Sequence, residues 1–135
     1  MLMSFLPTFV AALAAFLLGA LWYSPVLFAK QWMAAHNFTM DDVAAMQKSA
    51  PKAYGISFVC MLLMAHVMAW LLHLTGGTGW MAGLHLGFMM WAGFAFTLGL
   101  IAQVYAGKKF AVFVIDSGYQ LVYLIIMGTI LGAWR

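Results

Sequence analysis

Uncharged apolar stretches divide this chain before any motif is considered. Residues 1–29 carry no charged side chain, and neither do residues 53–107. Between them lie Lys30, Asp41, Asp42, Lys48 and Lys52. Lys108 and Lys109 then precede a last apolar run that only Asp116 interrupts before Arg135. A helix needs about 20 apolar residues to cross a hydrocarbon layer about 30 Å thick, so the first and last runs each supply one span. The run 53–107 is too long for one span and is cut by Thr75-Gly76-Gly77-Thr78-Gly79, a turn signal of small residues. The pattern therefore predicts one domain, residues 1–135, with spans at roughly 4–24, 53–74, 79–104 and 110–133. Lipid offers no partner to an unpaired backbone group, and these runs are too long for barrel strands, so the spans are helices.

Composition removes the alternatives. The chain is 67% hydrophobic and 7% charged, against about 45–50% and about 25% in soluble domains. Disorder needs low hydrophobicity and a disulfide scaffold needs paired cysteines, whereas this chain has the single Cys60. The predicted fold class is an all-α integral membrane protein, a four-transmembrane-helix bundle with short interfacial helices in the cytoplasmic segment 25–52. The net charge of +3 fits topology and anionic headgroups, with no nucleic-acid partner.

The 30–52 segment holds three Lys, the 105–109 connection two and the 75–79 turn none. By the positive-inside rule both lysine-bearing segments are cytoplasmic and both termini lie outside. Trp22, Tyr23, Tyr54 and Tyr105 then fall at inner ends, Trp70, Trp80 and Trp134 at outer ends, and Trp91 near mid-span. The first span lacks a basic leader and reads as a retained anchor.

Ser24-Pro25 predicts a helix start and a short interfacial helix of about 25–35 carrying Lys30 and Trp32. Thr39-Met40-Asp41-Asp42 fits a capping box with Asp in place of Glu or Gln, opening a second interfacial helix that Pro51 closes. His36 reads as solvated, and Cys60 as a small buried apolar residue. Small residues spaced by four allow close helix contact in lipid. Three strips do so: Ala11, Ala15 and Gly19; Gly79, Gly83 and Gly87; Gly128 and Gly132. Three strips exceed what one small bundle obviously needs: either the bundle is tightly packed or one strip meets another subunit, and the favoured expectation is a homo-oligomer.

Asp116 is the most informative residue. An intramembrane carboxylate is expensive, faces the bundle or a wet cavity, and is functional by default. Asp116, Tyr119, Gln120, Tyr123 and Met127 share one helix face, a polar stripe running toward mid-bilayer. Tyr23, Ser57 and Gln103 lie at comparable depth and are candidates to complete a hydrogen-bonded cluster. The stripe reads either as an ion or proton site or as a clasp between helices, with Lys108 or Lys109 reaching toward the carboxylate. His66 and His85 lie at similar depth and offer a weaker haem or metal pair, with no ligand-spacing motif, so no cofactor is expected. With a single intramembrane carboxylate and neither a nucleophile elbow nor a phosphate loop, no enzyme activity is expected.

Leu18-Gly19-Ala20-Leu21-Trp22-Tyr23-Ser24-Pro25, followed by Lys30 and Trp32-Met33, resembles the opening of the bacterial domain-of-unknown-function 1761 membrane family. Asp116-Ser117-Gly118-Tyr119-Gln120-Leu121 and the stretch from Ile126 to Arg135 resemble its end. The resemblance implies a small four-helix inner-membrane protein in which Trp22, Tyr23, Ser24, Pro25, Gly118, Tyr119 and Gln120 matter, and it lends no reaction or substrate. The family pattern also admits Asn where this chain has Asp116, which favours the clasp over an obligatory proton site. The leading expectation is a homo-oligomeric channel or transporter for an ion or small solute, using Asp116, Gln120 and Tyr123. The alternative is a non-catalytic structural or partner-binding subunit, and haem or metal binding comes third.

Overall fold

The computed structural model describes residues 5–135. Ser4, the expected first residue of span one, lies outside the described residues. Five helices form in chain order: α1 (Phe5–Trp22), α2 (Ala29–His36), α3 (Met40–Thr75), α4 (Trp80–Ala106) and α5 (Phe110–Ala133). All but α2 are long and apolar enough to cross a membrane.

The glycine-rich turn forms as its composition dictates. Gly76 adopts a left-handed conformation, with φ 71°, and its N–H closes the end of α3 on the Leu72 and His73 carbonyls. Gly107 ends α4 in the same way. The hairpin it creates aligns Gly79, Gly83 and Gly87 of α4 with Gly128 and Gly132 of α5. A methyl group added at Gly83 would fall on the Gly128 carbonyl oxygen, and one at Gly87 on that of Leu124. Additions at Gly128 and Gly132 would strike the carbonyls of Gly83 and Gly79. The two backbones are in direct contact, the geometry that small residues permit between helices in lipid.

Helix α5 is the axle of the bundle. It packs against α1, α3 and α4, whereas α4 rests chiefly on α5. Ala11, Ala12 and Ala15 of α1 are fully buried and join Met61, Ala65, Met68 and Leu72 of α3 and Tyr119, Tyr123, Met127 and Leu131 of α5 in one core. Edge-on contacts of Phe9 and Phe16 with Phe58, and of Phe16 with Tyr54, close the α1–α3 seam. All three small-residue strips are thus occupied within one chain.

Three local expectations are corrected. Pro51 does not end a helix: α3 runs unbroken for 36 residues, about 54 Å at 1.5 Å per residue. Proline removes one intrahelical donor, but the carbonyl it frees belongs to Gln47, which is exposed, so solvent can satisfy it. The capping box that starts α3 is present, with Asp42 N–H donating to Thr39 Oγ1 at 3.2 Å and Thr39 N–H to Asp42 Oδ2 at 2.8 Å. Ser24 does not cap a helix at residue 25. Its hydroxyl donates back to the Leu21 carbonyl at 2.6 Å, a tight turn follows, and α2 starts only at Ala29. Cys60, expected inside, is exposed on α3.

Candidate functional site

The end of α1 and the first half of α5 run antiparallel and fit together residue by residue. Gly19 lies against the Tyr119 ring, and a Cβ there would sit 2.6 Å from the Tyr119 hydroxyl oxygen. That missing side chain lets the hydroxyl donate to the Ala15 carbonyl at 2.8 Å. Gly118 likewise makes room for Trp22, whose indole Cζ2 would lie 3.3 Å from an added Cβ, and Trp22 Nε1 donates to the Ile115 carbonyl at 3.1 Å. One turn on, the Tyr23 hydroxyl donates to Asp116 Oδ1 at 2.5 Å.

A second donor reaches the same oxygen from outside the four spans. Trp32 Nε1 of α2 donates to Asp116 Oδ1 at 3.0 Å, and Tyr23 and Trp32 meet edge-on with centroids 5.8 Å apart. Asp116 therefore ties α1 and α2 to α5 through two neutral donors, the expected Tyr23 and the unexpected Trp32, and not through Lys108 or Lys109. A hydrogen bond to a charged acceptor is stronger than one between neutral groups, and an indole N–H at a wet–dry boundary needs an acceptor. Trp32 was flagged by the sequence only as an apolar member of a motif. Its partner was hidden because the docking of α2 on α5 is a tertiary fact.

The depth of Asp116 follows from this pairing. Helix α1 is 18 residues long, about 27 Å, and Asp116 sits where α1 stops. The carboxylate thus marks the rim of the layer that α1 crosses, on the lysine-bearing end, and the stripe begins there. Tyr119 and Tyr123 lie deeper and are buried. Tyr119 is engaged with Ala15, and the Tyr123 hydroxyl with the Met64 thioether at 3.7 Å.

The other expected members do not join this network. Ser57 is exposed on α3. Gln103 donates its side-chain amide to the Lys108 carbonyl, closing the α4–α5 turn. Gln120 is half-buried one turn beyond Asp116 but is not among that residue's partners. His66, His73 and His85 are exposed, and no group of three or more His, Cys, Asp or Glu side chains able to hold a metal occurs among the described residues.

Helix α4 adds a feature that no periodicity announced. Residues Trp91–Ala95 form a π-helical turn, and Trp91 Nε1 donates to the Ser117 carbonyl at 2.9 Å. Indoles from opposite sides thus bond two adjacent stretches of α5 backbone, Trp22 at Ile115 and Trp91 at Ser117, flanking Asp116.

The model of one protein family, described as a protein of unknown function (DUF1761), matches residues 6–132. The chain belongs to the DUF1761 family. The match contains both segments whose reciprocal fit was just described, from Leu18 to Pro25 and from Asp116 to Leu121. No curated protein and no solved structure matches this DUF1761 chain. In physical terms these two segments form one structure: the Gly19, Trp22 and Tyr23 side of α1 is the mould for the Asp116, Gly118 and Tyr119 side of α5.

Proposed function

We propose that this DUF1761 chain is a non-catalytic membrane subunit, a four-span platform that holds α2 in a fixed place at one face of the bilayer for a partner to bind. The observation that carries this reading is the double engagement of Asp116 Oδ1 by Tyr23 of α1 and Trp32 of α2. An intramembrane carboxylate is a functional-site hypothesis by default, and what it faces decides whether it conducts or holds. Here the carboxylate faces two packed aromatic side chains, and Tyr119 and Tyr123 spend their hydroxyls on neighbouring helices. The stripe is used for holding rather than for passage. We place the chain in a bacterial inner membrane with the lysine-bearing end in the cytoplasm and both termini outside, on the five lysines that cluster there.

The competing reading, a homo-oligomeric channel or transporter through Asp116, Gln120 and Tyr123, keeps one supporting observation. Gln120 is the member of the stripe that lies outside the Asp116 network. Purified protein in proteoliposomes separates the two readings. The platform reading expects sodium, potassium and proton flux to stay at the level of empty vesicles. It also expects Asp116→Asn to keep α2 protected from hydrogen exchange, because an amide oxygen still accepts both donors, while Asp116→Ala exposes it. A flux above empty vesicles that Asp116→Asn abolishes would overturn the platform and establish the conduit.

A further inference from the structure

The end of α2 carries an unused titratable group. His36 closes the helix, and Asn37 follows it in the left-handed conformation, φ 57°. That cap turns the chain so that Phe38 N–H reaches the Met33 carbonyl at 3.2 Å and the Phe38 ring lies back over the imidazole. The two rings stack at 4.6 Å with 13° between their planes. Trp32 packs on the imidazole at 4.3 Å and meets the Phe38 ring edge-on at 5.4 Å, so the three rings form one cluster. His36 Nε2 is buried beside this cluster with no hydrogen-bond partner. Where a solvated side chain was expected, the imidazole packs directly on the indole that holds Asp116.

We propose that His36 makes the α2 latch acid-labile: the neutral imidazole packs against both Trp32 and Phe38, and its protonation releases Trp32 from Asp116. The inference rests on the platform reading and adds regulation to it. A protonated imidazole is a donor at both nitrogens, and a buried charged N–H without an acceptor is costly. The charged groups that face it are Lys108, from the turn between α4 and α5, and Asp116, from α5. Lys108 repels an imidazolium. Asp116 attracts it, but the oxygen already bonded belongs to Tyr23 and Trp32. Stacking on Phe38 favours a cation, yet a ring face supplies no acceptor for Nε2–H. Burial, with Lys108 adding to it, holds the His36 pKa below its ordinary value of 6.5 against the pull of Asp116. The docked form therefore binds the proton less readily than the released form. Docking is at full strength above pH 6.5 and weakens as the pH falls from there through the lowered docked value.

The test uses the full chain in lipid nanodiscs, labelled with 5-fluorotryptophan, with the Trp32 fluorine resonance assigned by Trp32→Phe. Asp116→Ala at pH 8 supplies the resonance of the released indole, and hydrogen exchange over residues 29–36 gives a second readout that needs no variant. Between pH 8 and 4.5 the Trp32 resonance is expected to move to the released position, with a midpoint below 6.5 and with loss of protection in α2. His36→Phe, which keeps the stack and cannot be protonated, is expected to stay docked throughout. An unmoved resonance, a shift that stops short of the released position with α2 still protected, or an equal transition in His36→Phe each overturns the proposal. If Asp116→Ala leaves both Trp32 and α2 unchanged at pH 8, the latch itself is wrong, which is a separate result.

Discussion

The bond between Tyr23 and Asp116 can be weighed directly. Tyr23→Phe removes one hydroxyl and nothing else, taking away a donor 2.5 Å from a carboxylate oxygen. Hydrogen bonds to charged groups contribute about 1.5–3 kcal/mol in soluble proteins. Interhelical side-chain bonds in membranes average about 0.6 and reach about 1.7 kcal/mol. Two features place this one near the top of the membrane range: the short distance and the charge of the acceptor. One feature keeps it from the upper soluble figure, since Trp32 still donates to the same oxygen when Tyr23 is lost. The expected coupling energy is about 1.5 kcal/mol, roughly a tenfold change in an equilibrium constant. A double-mutant cycle of Tyr23→Phe with Asp116→Ala, read by reversible unfolding in mixed lipid–detergent micelles, isolates it. Because Trp32 is present in all four proteins, its own contribution cancels. If the two substitutions add to within about 0.4 kcal/mol, the hydroxyl and the carboxylate are mere neighbours, and α1 is held to α5 by shape alone.

Other positions test the packing. Gly83→Ala sets a methyl group on the Gly128 backbone carbonyl, which cannot rotate away; a loss of about 3 kcal/mol is expected, at the upper end of overpacking costs, checked by the same unfolding assay. Gly19→Ala meets only the end of the Tyr119 side chain; it should cost about 1 kcal/mol by driving that hydroxyl from Ala15, and Tyr119→Phe should then make it nearly neutral. Pro51→Ala supplies a backbone donor to a helix that is already continuous. Circular dichroism should show helix content unchanged or slightly raised, and a loss of helix would show that α3 needs a break there.

The span count, the glycine turn and the Thr39 capping box were legible because each is a local property. A run of apolar residues, a positive φ and a side chain that caps its own backbone do not depend on distant chain. Tyr23 was also placed beside Asp116, since depth can be counted along a helix. Depth alone misjudged Ser57 and Gln103, because rotation about the helix axis decides which residues meet, and their neighbours settle that rotation. Trp32 and Trp91 were missed for a related reason. An indole N–H announces a need for an acceptor but not its address, and the π-turn that brings Trp91 to Ser117 leaves no periodic trace. The small-residue strips were legible as helix-packing surfaces, while the helix each one meets was not, because a strip of glycines says that something comes close without saying what.

The central position of α5 has a consequence for how the molecule is made. The helix on which the other three spans lean follows all of them in the chain, so it leaves the ribosome after they do. Until it enters the bilayer, α4 lacks its main support, Tyr23 and Trp32 lack their acceptor, and only the seam between α1 and α3 can close. The four-span bundle therefore closes only when α5 inserts, and a nascent chain stopped before Phe110 holds the other three spans without the piece that assembles them.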